Sequence, residues 1–382
     1  MLLSSTLLTF LVASSAPSPV YHLYQAQWHL SSGMITVVYG VYCLSVLAAL
    51  LTIGSVSDHI GRRPVILTAL GIEALSMAVF CRADGVTALL IARLLQGLAT
   101  GMATSTLGAA LLDISHKRAT VVLISAGPLV GMAVGTLGTS LLVEFLPAPT
   151  RTVYLLLLAA LLAQTLATLF LPETGVRKPG ALASIRQGPR VPRPVRRTLL
   201  LIAPVFVAVW ALGGFYLALG TRLAQNVTGS ESVIVGGLTV FALAFTGILP
   251  MLVIRRVAPA DLMRAGALVL AVGMAVVLVG VHLRSSTLFF AGDVLAGAGF
   301  GPAFQGGVGA VVRIATAEER ARLMASIYVI TYLAMCVPVV AAGFLSERYG
   351  LIPTATWFGI CLIALTLSAL VASWDRLGRR AQ

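Results

Sequence analysis

The sequence contains little charge. Aspartate, glutamate, lysine and arginine make up 10% of its 382 residues, whereas 58% of the residues are hydrophobic. Soluble domains carry about 25% charged residues, so this composition excludes an ordinary soluble fold and predicts an integral membrane protein. The basic residues fall in short gaps between apolar runs. This placement argues against a nucleic-acid-binding protein, which needs a basic face on a folded surface.

Cysteine is also scarce, and several catalytic motifs are absent. The four cysteines lie apart within apolar segments and form no C-x-x-C pair, so they predict neither a disulfide framework nor a metal site. The sequence contains no G-x-x-x-x-G-K-[ST] loop for ATP and no H-E-x-x-H motif. We therefore expect no cofactor and no enzymatic activity.

Twelve apolar runs are long enough to cross a membrane, since a spanning helix needs about 20 mostly apolar residues. We place them near residues 3–24, 33–55, 64–82, 86–110, 119–143, 152–171, 198–221, 232–254, 262–282, 286–311, 322–345 and 351–374. The longest polar stretch is basic and contains several prolines and glycines, which is typical of a flexible linker. The sequence thus predicts an all-α integral membrane protein of 12 transmembrane helices. Two six-helix halves, residues 1–174 and 198–382, are joined by a cytoplasmic linker of residues 175–197.

The distribution of basic residues predicts the orientation. With the N-terminus inside the cell, 20 of the basic residues lie in cytoplasmic segments and 5 in outer loops. Basic residues are enriched on the cytoplasmic side, so both termini are predicted to be cytoplasmic, in a plasma or inner membrane. Residues 1–18 could instead be a cleaved signal peptide, but they lack a basic N-terminal region.

One gap between apolar runs combines glycines with charged residues: Gly54, Asp58, Gly61, Arg62 and Arg63. Asp58 and Arg62 have the i,i+4 spacing at which helical side chains can pair. The stretch resembles the G-x-x-x-D-x-x-G-R-(R/K) loop signature of major facilitator superfamily transporters. This resemblance implies the major facilitator fold. It also implies that Asp113, at the end of the fourth run, joins these residues in a latch that closes the cytoplasmic side.

Arg93 lies within the fourth apolar run, where a charge costs at least about 2.5–3.5 kcal/mol unless it faces protein or water. Together with Gln96 and Gly97, it resembles the R-x-x-Q-G motif of proton-driven antiporters of the superfamily, where the arginine is implicated in proton coupling. The alternative is a packing arginine bonded to carbonyl groups of the first span. Residues 92–101 align with residues 292–301 at a constant offset, with Gly97 over Gly297 and Arg93 over Asp293. The repeat indicates a duplication of the two halves.

The resemblance places the first, fourth, seventh and tenth spans around a central cavity, and we expect Arg93 and Asp293 to form a charge-paired gate there. The alternative for Asp293 is a solvated position near the membrane surface. Glu73, midway along the third span, is expected to turn inward as a proton carrier, because a lipid-facing glutamate would be costly. The aromatic candidates for the cavity wall are Tyr24, Trp210, Phe215, Tyr216, Phe304, Tyr328 and Tyr332.

A helix-bend motif occurs in the fifth span, where Gly127, Pro128 and Gly131 partly match the G-x-x-x-G-P-x-x-G-G signature of drug–proton antiporters. Leu123 and Met132 replace two of its glycines. The resemblance is closest to the twelve-span drug–proton antiporter type, and implies proton-coupled export of a small organic or drug-like compound. The alternative is metabolite uptake by proton symport or facilitated diffusion. We expect a monomer in membrane lipid, with a small-molecule substrate and protons as its partners.

Overall fold

The structure is a computed structural model that describes residues 1–53, 57–115, 117–173, 191–254 and 257–377. For residues 58, 118, 317, 318 and 374–377 it describes only the backbone. Throughout these described residues the secondary structure is helical, with no β-strand. Gly54, the side chain of Asp58 and most of the predicted linker lie outside them.

The first compact unit covers Met1–Gly188. Its spans, numbered in chain order, are span 1 (Leu2–Ser15 and Pro17–Trp28), span 2 (Ser32–Thr52), span 3 (Arg62–Cys81), span 4 (Val86–Ile114), span 5 (Arg118–Phe145) and span 6 (Pro149–Leu169). A short helix, Ser57–Ile60, precedes span 3. Spans 1, 2 and 3 each pack against span 4, so the side chains of span 4 meet those of three neighbours.

The second compact unit covers Pro189–Gln382. It contains span 7 (Arg193–Phe215, Tyr216–Gly220 and Thr221–Thr228), span 8 (Val233–Val253), span 9 (Pro259–Leu283), span 10 (Ser286–Val312), span 11 (Ala317–Tyr349) and span 12 (Leu351–Leu377). Residues 193–197, predicted as linker, are therefore helical. Within the described part of the chain, 11 spans are apolar helices long enough to cross a membrane, and the remaining one is span 1.

Span 1 is two helices rather than the single predicted one. The first ends at Ser15 and the second begins at Pro17. Proline has no N–H group and cannot donate to the carbonyl four residues earlier. Pro17 therefore leaves the carbonyl of Ala13 without the donor that a continuous helix would supply, and Pro19 does the same to the carbonyl of Ser15.

Span 7 is irregular in another way. Its long α-helix passes into a π-helical turn, Tyr216–Gly220, before a final α-helical segment. Single π-helical turns are rare and are frequently found at functional sites. The first span of each unit thus departs from a regular α-helix.

The glycines of the fifth-span motif bring span 5 against span 1. A methyl group at Gly131 would lie 2.6 Å from the backbone of Leu11, and Ser15 donates a hydrogen bond of 2.7 Å to the carbonyl of Gly131. Pro128 lies inside a helix that is continuous from Arg118 to Phe145. The motif therefore allows close contact with the helix that ends at the break in span 1.

Glycines at seven-residue intervals join spans 9 and 10. They are Gly266, Gly273 and Gly280 on span 9, and Gly292, Gly299 and Gly306 on span 10. A methyl group at Gly299 would lie 2.8 Å from the Cα atom of Leu270, so the two backbones are in contact. A seven-residue repeat keeps one face of a helix toward a neighbour along its whole length.

Candidate functional site

Arg93 is fully buried in the first unit. Its Nε atom donates to the hydroxyl oxygen of Tyr21 at 2.7 Å. Its Nη1 atom donates to the carbonyl of Ser14 at 2.9 Å and to Oε1 of Gln96 at 2.5 Å. The bond to a first-span carbonyl is the one that the packing alternative predicts. The bonds to Tyr21 and Gln96 add a side-chain network to it.

Three aromatic rings surround the guanidinium group of Arg93. Its Cζ atom lies 5.3 Å from the ring centroid of Tyr21, 5.0 Å from that of Tyr42 and 5.9 Å from that of Phe80. A desolvated cation over an aromatic face gains about 2 kcal/mol or more. Spans 1, 2 and 3 therefore each contribute a ring that stabilises the buried charge.

Gln96 replaces the hydrogen-bond donor that Pro17 lacks. Its Nε2 atom donates to the carbonyl of Ala13 at 2.9 Å. Arginine offers only donors and a carbonyl only accepts, so the amide oxygen must face Arg93 and the amide nitrogen must face Ala13. The chemistry of its partners thus fixes the orientation of the Gln96 side chain.

Glu73 is fully buried on span 3 and turned inward, as the cost of lipid exposure predicts. Its Oε1 atom lies 3.4 Å from Nε2 of Gln96. Its Oε2 atom has no hydrogen-bond partner among the described residues. Glu73, Gln96, Arg93 and Tyr21 form one continuous set of hydrogen bonds, which we call the Arg93 network. The sequence identified Arg93 and Gln96 in one motif and Glu73 separately, and the structure brings the three side chains together.

Asp293 is fully buried in the second unit, so its solvated alternative is wrong. Its Oδ1 atom accepts a hydrogen bond from the hydroxyl of Tyr216, and its Oδ2 atom has no partner among the described residues. Tyr216 is the first residue of the π-helical turn in span 7. Sequence analysis treated Tyr216 only as an aromatic wall residue and missed this pairing.

The two units hold their charged residues in a similar manner. In the first unit a tyrosine of span 1 accepts a hydrogen bond from Arg93, and in the second a tyrosine of span 7 donates one to Asp293. A phenol hydroxyl can do either. A tyrosine on the first span of each half is the sequence signal that could have found both pairs. The charge-paired gate between Arg93 and Asp293 stays a prediction.

Two of the predicted latch residues, Arg62 and Asp113, are in contact. Arg62 and Asp113 form an ion pair with an Nε–Oδ2 distance of 3.2 Å, and Nη1 of Arg62 donates to the hydroxyl of Ser57 at 2.7 Å. Gly61 has a φ angle of +105°, a backbone conformation that favours glycine. The contributions of Gly54 and Asp58 stay predictions, because Gly54 and the Asp58 side chain lie outside the described residues.

A residue that sequence analysis did not assign to the latch, Glu173, supports it. Its carboxylate accepts hydrogen bonds from the backbone amides of Arg62, at 2.8 Å, and Arg63, at 3.2 Å. The side chain of Arg63 donates in turn to the carbonyl of Leu169 at the end of span 6. A carboxylate at a helix N-terminus binds unsatisfied N–H groups and interacts favourably with the helix dipole. Glu173 therefore fixes the start of span 3 from the end of span 6.

The aromatic candidates fall into two groups. Tyr24 and Tyr216 are buried against partners in their own units; Tyr24 stacks on Trp28 and donates to the hydroxyl of Tyr154 at 3.3 Å. Phe215 is also buried and stacks on Phe358. The partly exposed candidates are Trp210, Phe304, Tyr328 and Tyr332. Their place in a cavity wall stays a prediction. Among the described residues there is no group of side chains that could hold a metal ion.

Residues 2–337 match the family model of the Major Facilitator Superfamily, and the chain belongs to this superfamily. It is a multi-pass membrane protein and a secondary transporter of small molecules, and not an enzyme. A segment of 74 residues is 35% identical to Multidrug resistance protein D of Escherichia coli (strain K12). That match covers only 19% of this chain and 19% of the relative.

Solved transporter structures share the fold over nearly the whole chain. The human organic anion transporter MFSD10 matches with a TM-score of 0.67 and 20% identity, covering 96% of this chain and 98% of that one. A variant of the nucleoside transporter NupG matches with a TM-score of 0.76 and 14% identity, and the match covers 97% of this chain and 98% of that one. A bacterial homolog to the human lysosomal transporter Spinster matches with a TM-score of 0.75 and 12% identity, and the match covers 99% of this chain and 96% of that one. At these identities the likeness shows the fold alone.

Proposed function

We propose that the chain exports a small organic or drug-like compound in exchange for protons. The Arg93 network carries this proposal. It places a permanent positive charge, an amide and a carboxyl group in a buried position between spans 1, 3 and 4. Electrostatic interactions are much stronger in such a position than in water, so one added proton would change the stability of the whole network. The resemblance of Arg93 and Gln96 to the antiporter motif, and the short match to a multidrug resistance protein, support the same function.

Metabolite uptake by proton symport or facilitated diffusion is the second candidate. Leu123 and Met132 favour it, because they replace two glycines of the antiporter signature in span 5. Span 1 also lacks the carboxylate that multidrug exporters often carry there.

Proton flux in everted membrane vesicles distinguishes the two candidates. The vesicles would be acidified inside by respiration, a pH-sensitive dye would report the gradient, and a panel of organic compounds would be added. Antiport predicts that an exported compound dissipates the gradient. It also predicts that the effect is lost in Arg93→Ala vesicles and kept in Arg264→Ala vesicles. Transport of a compound without proton movement, or together with protons in the same direction, would contradict the proposal.

The predicted gate between Arg93 and Asp293 can be tested with the same measurement. If the two charges interact, Arg93→Ala and Asp293→Ala each impair transport, and the exchanged pair Arg93→Asp/Asp293→Arg restores part of it. Losing one partner of a buried pair costs more than losing both, since the survivor is left uncompensated. Strictly additive losses would show that the residues do not interact.

We also propose that the protein lies in the plasma or inner membrane as a monomer, with both termini cytoplasmic. The excess of basic residues in alternate segments supports this orientation. Single cysteines placed within residues 175–195 should react with an impermeant thiol reagent in everted vesicles and not in intact cells. Labelling in intact cells would reverse the orientation.

A further inference from the structure

We propose that Glu73 is the residue that binds the transported proton, and that Gln96 transmits its protonation state to the break in span 1. This inference rests on the proposed proton coupling and assigns it to particular atoms. It also separates Glu73 from Asp293, the other fully buried acidic side chain of the described structure.

The first step of the argument is the position of the Glu73 carboxyl group. The side chain is fully buried, and one oxygen faces the amide of Gln96 while the other has no hydrogen-bond partner among the described residues. A proton can therefore bind to Oε2 without displacing a hydrogen bond from that oxygen. The carboxylate then becomes a neutral carboxylic acid, and its release of the proton regenerates the charge.

The second step is the charge balance of the network. Arg93 stays protonated at all physiological pH values. Among the described residues, no carboxylate forms an ion pair with it. Glu73 is the acid that shares the Gln96 amide with Arg93. Ionised Glu73 makes the network neutral, and protonated Glu73 leaves it with one positive charge. An uncompensated buried charge is costly, so proton binding favours a rearrangement.

The third step is the connection to span 1. Both hydrogens of the Gln96 amide nitrogen are used, one toward Ala13 and the other toward Glu73. A hydrogen bond to an ionised group is about twice as strong as one between neutral groups. Ionised Glu73 therefore holds the amide in place, and the amide holds the Ala13 carbonyl that Pro17 leaves without a helical donor. Protonation of Glu73 weakens its hydrogen bond with Gln96, and the Gln96 amide is then less firmly held at the Ala13 carbonyl, where span 1 is interrupted.

The other polar groups that the structure describes around Glu73 are not carboxyl groups, so none of them can take its role as the proton-binding acid. Span 4 presents Arg93 and Gln96, and span 2 presents the phenol of Tyr42. Span 6, which also packs on span 3, carries Arg151 and Tyr154 as its titratable residues. Span 1 contributes Tyr21 through its bond to Arg93. These groups are arginines, an amide and phenols, which leaves Glu73 as the carboxyl group of this cluster.

Proton binding can be measured without a known substrate. Dicyclohexylcarbodiimide reacts with protonated carboxyl groups in apolar surroundings, and peptide mass spectrometry identifies the modified residue. The purified wild-type protein in detergent should be labelled at Glu73, and the labelled fraction should fall as the pH is raised. The peptide that contains Asp293 provides an internal comparison. An unlabelled Glu73, or labelling that does not change with pH, would overturn the proposal.

The proposed transmission from Glu73 through Gln96 to span 1, which we call the relay, can be followed with a fluorescent residue on the far side of the break. Trp28 lies in the second helix of span 1 and stacks on Tyr24 with ring centroids 4.7 Å apart. A variant that retains Trp28 as its only tryptophan (Trp210, Trp357 and Trp374→Phe) should show a change in fluorescence with pH. Glu73→Gln and Gln96→Leu should abolish this change, and Asp293→Asn should preserve it. A response that survives in Gln96→Leu would disprove the relay, and one that survives in Glu73→Gln would disprove the whole inference.

Two comparisons keep this test separate from the proposed export. Glu73→Asp retains a carboxyl group on a shorter chain and should weaken the fluorescence response rather than abolish it, which distinguishes proton binding from a general loss of folding. If the vesicles show antiport and Glu73→Gln retains it, the inference is wrong while the export function stands. If antiport is not observed but labelling and fluorescence behave as expected, Glu73 is a proton-binding switch and the export function is wrong.

Discussion

Pro17 stands four residues after Ala13 and has no amide hydrogen, and the Ala13 carbonyl accepts its hydrogen bond from Gln96 of span 4 instead. A proline inside a helix costs about 3 kcal/mol, partly because it removes such a bond. Here a neighbouring helix restores the missing donor. The break in span 1 therefore depends on span 4: Pro17 leaves the Ala13 carbonyl without a helical donor, and Gln96 supplies that donor.

The variant Pro17→Ala should weaken the hydrogen bond between Gln96 and the Ala13 carbonyl. It supplies an N–H group that competes with Gln96 for the Ala13 carbonyl, and it makes the helix more regular between Ala13 and Pro17, while Pro19 still interrupts the bond to the Ser15 carbonyl. We expect a higher midpoint of thermal unfolding together with a transport rate that is several-fold lower. Pro250→Ala, inside span 8, is the matched control and should leave transport close to wild type. Unchanged transport in Pro17→Ala would show that the break has no part in the mechanism.

The pair of Tyr216 and Asp293 gives a second prediction. Tyr216→Phe removes the hydroxyl that donates to the buried carboxyl group, and leaving a buried polar group without its partner costs about 1–3 kcal/mol. Thermal unfolding in detergent should show this loss. The double variant Tyr216→Phe/Asp293→Asn should not lose the sum of the two single effects, because the residues are in contact. Tyr349→Phe, at an exposed tyrosine, is the control.

Much of the fold follows from the sequence because membrane burial imposes strict rules. Apolar runs of sufficient length must become spans. A charge within a span must face protein or water, which is why Arg93 and Glu73 could be identified as inward-facing residues. The family match confirms the fold that the Asp58–Arg62 loop pattern implied.

What the sequence did not reveal depends on how helices are rotated against one another. Glu73 and Gln96 belong to different spans, and only the packing of spans 3 and 4 brings their side chains within 3.4 Å. The prolines that interrupt span 1 were visible, but hydropathy alone merges the two short helices into one span. The hydrogen bonds of Glu173 were missed because backbone amides have no sequence signature.

The latch makes a third prediction. Asp113→Asn removes the charge that pairs with Arg62, whose side chain is 11% exposed, while that of Asp113 is 38% exposed. Partly exposed ion pairs are worth about 0.2–1 kcal/mol, so transport should change by a few-fold at most while expression is unaffected. Asp261→Asn is the matched control, since its partner Arg264 lies on the same helix. An equal effect of both variants would remove the latch from the mechanism.

Glu173 makes a fourth prediction, which concerns the start of span 3. Glu173→Ala leaves the backbone amides of Arg62 and Arg63 without their acceptor, at a cost of about 0.5–2 kcal/mol. Hydrogen–deuterium exchange of the peptide that contains these amides should become faster. Exchange in the middle of span 3 should stay unchanged. Asp84→Ala, at an exposed acidic residue of the same unit, is the control. If the control accelerates exchange equally, the carboxylate of Glu173 does not cap this helix.

The contact between spans 9 and 10 gives the last prediction. Gly299→Ala would place a methyl group 2.8 Å from the Cα atom of Leu270, and a backbone cannot yield as a flexible side chain does. Overpacking of this kind costs about 1–3 kcal/mol, so the midpoint of thermal unfolding should fall. Gly71→Ala in span 3 is the matched control, because a methyl group there meets no atom within 4 Å. Since alanine favours a helix by about 1 kcal/mol over glycine, Gly71→Ala should be neutral or stabilising. If Gly299→Ala is tolerated as well as Gly71→Ala, the seven-residue glycine repeat does not set the distance between these two helices.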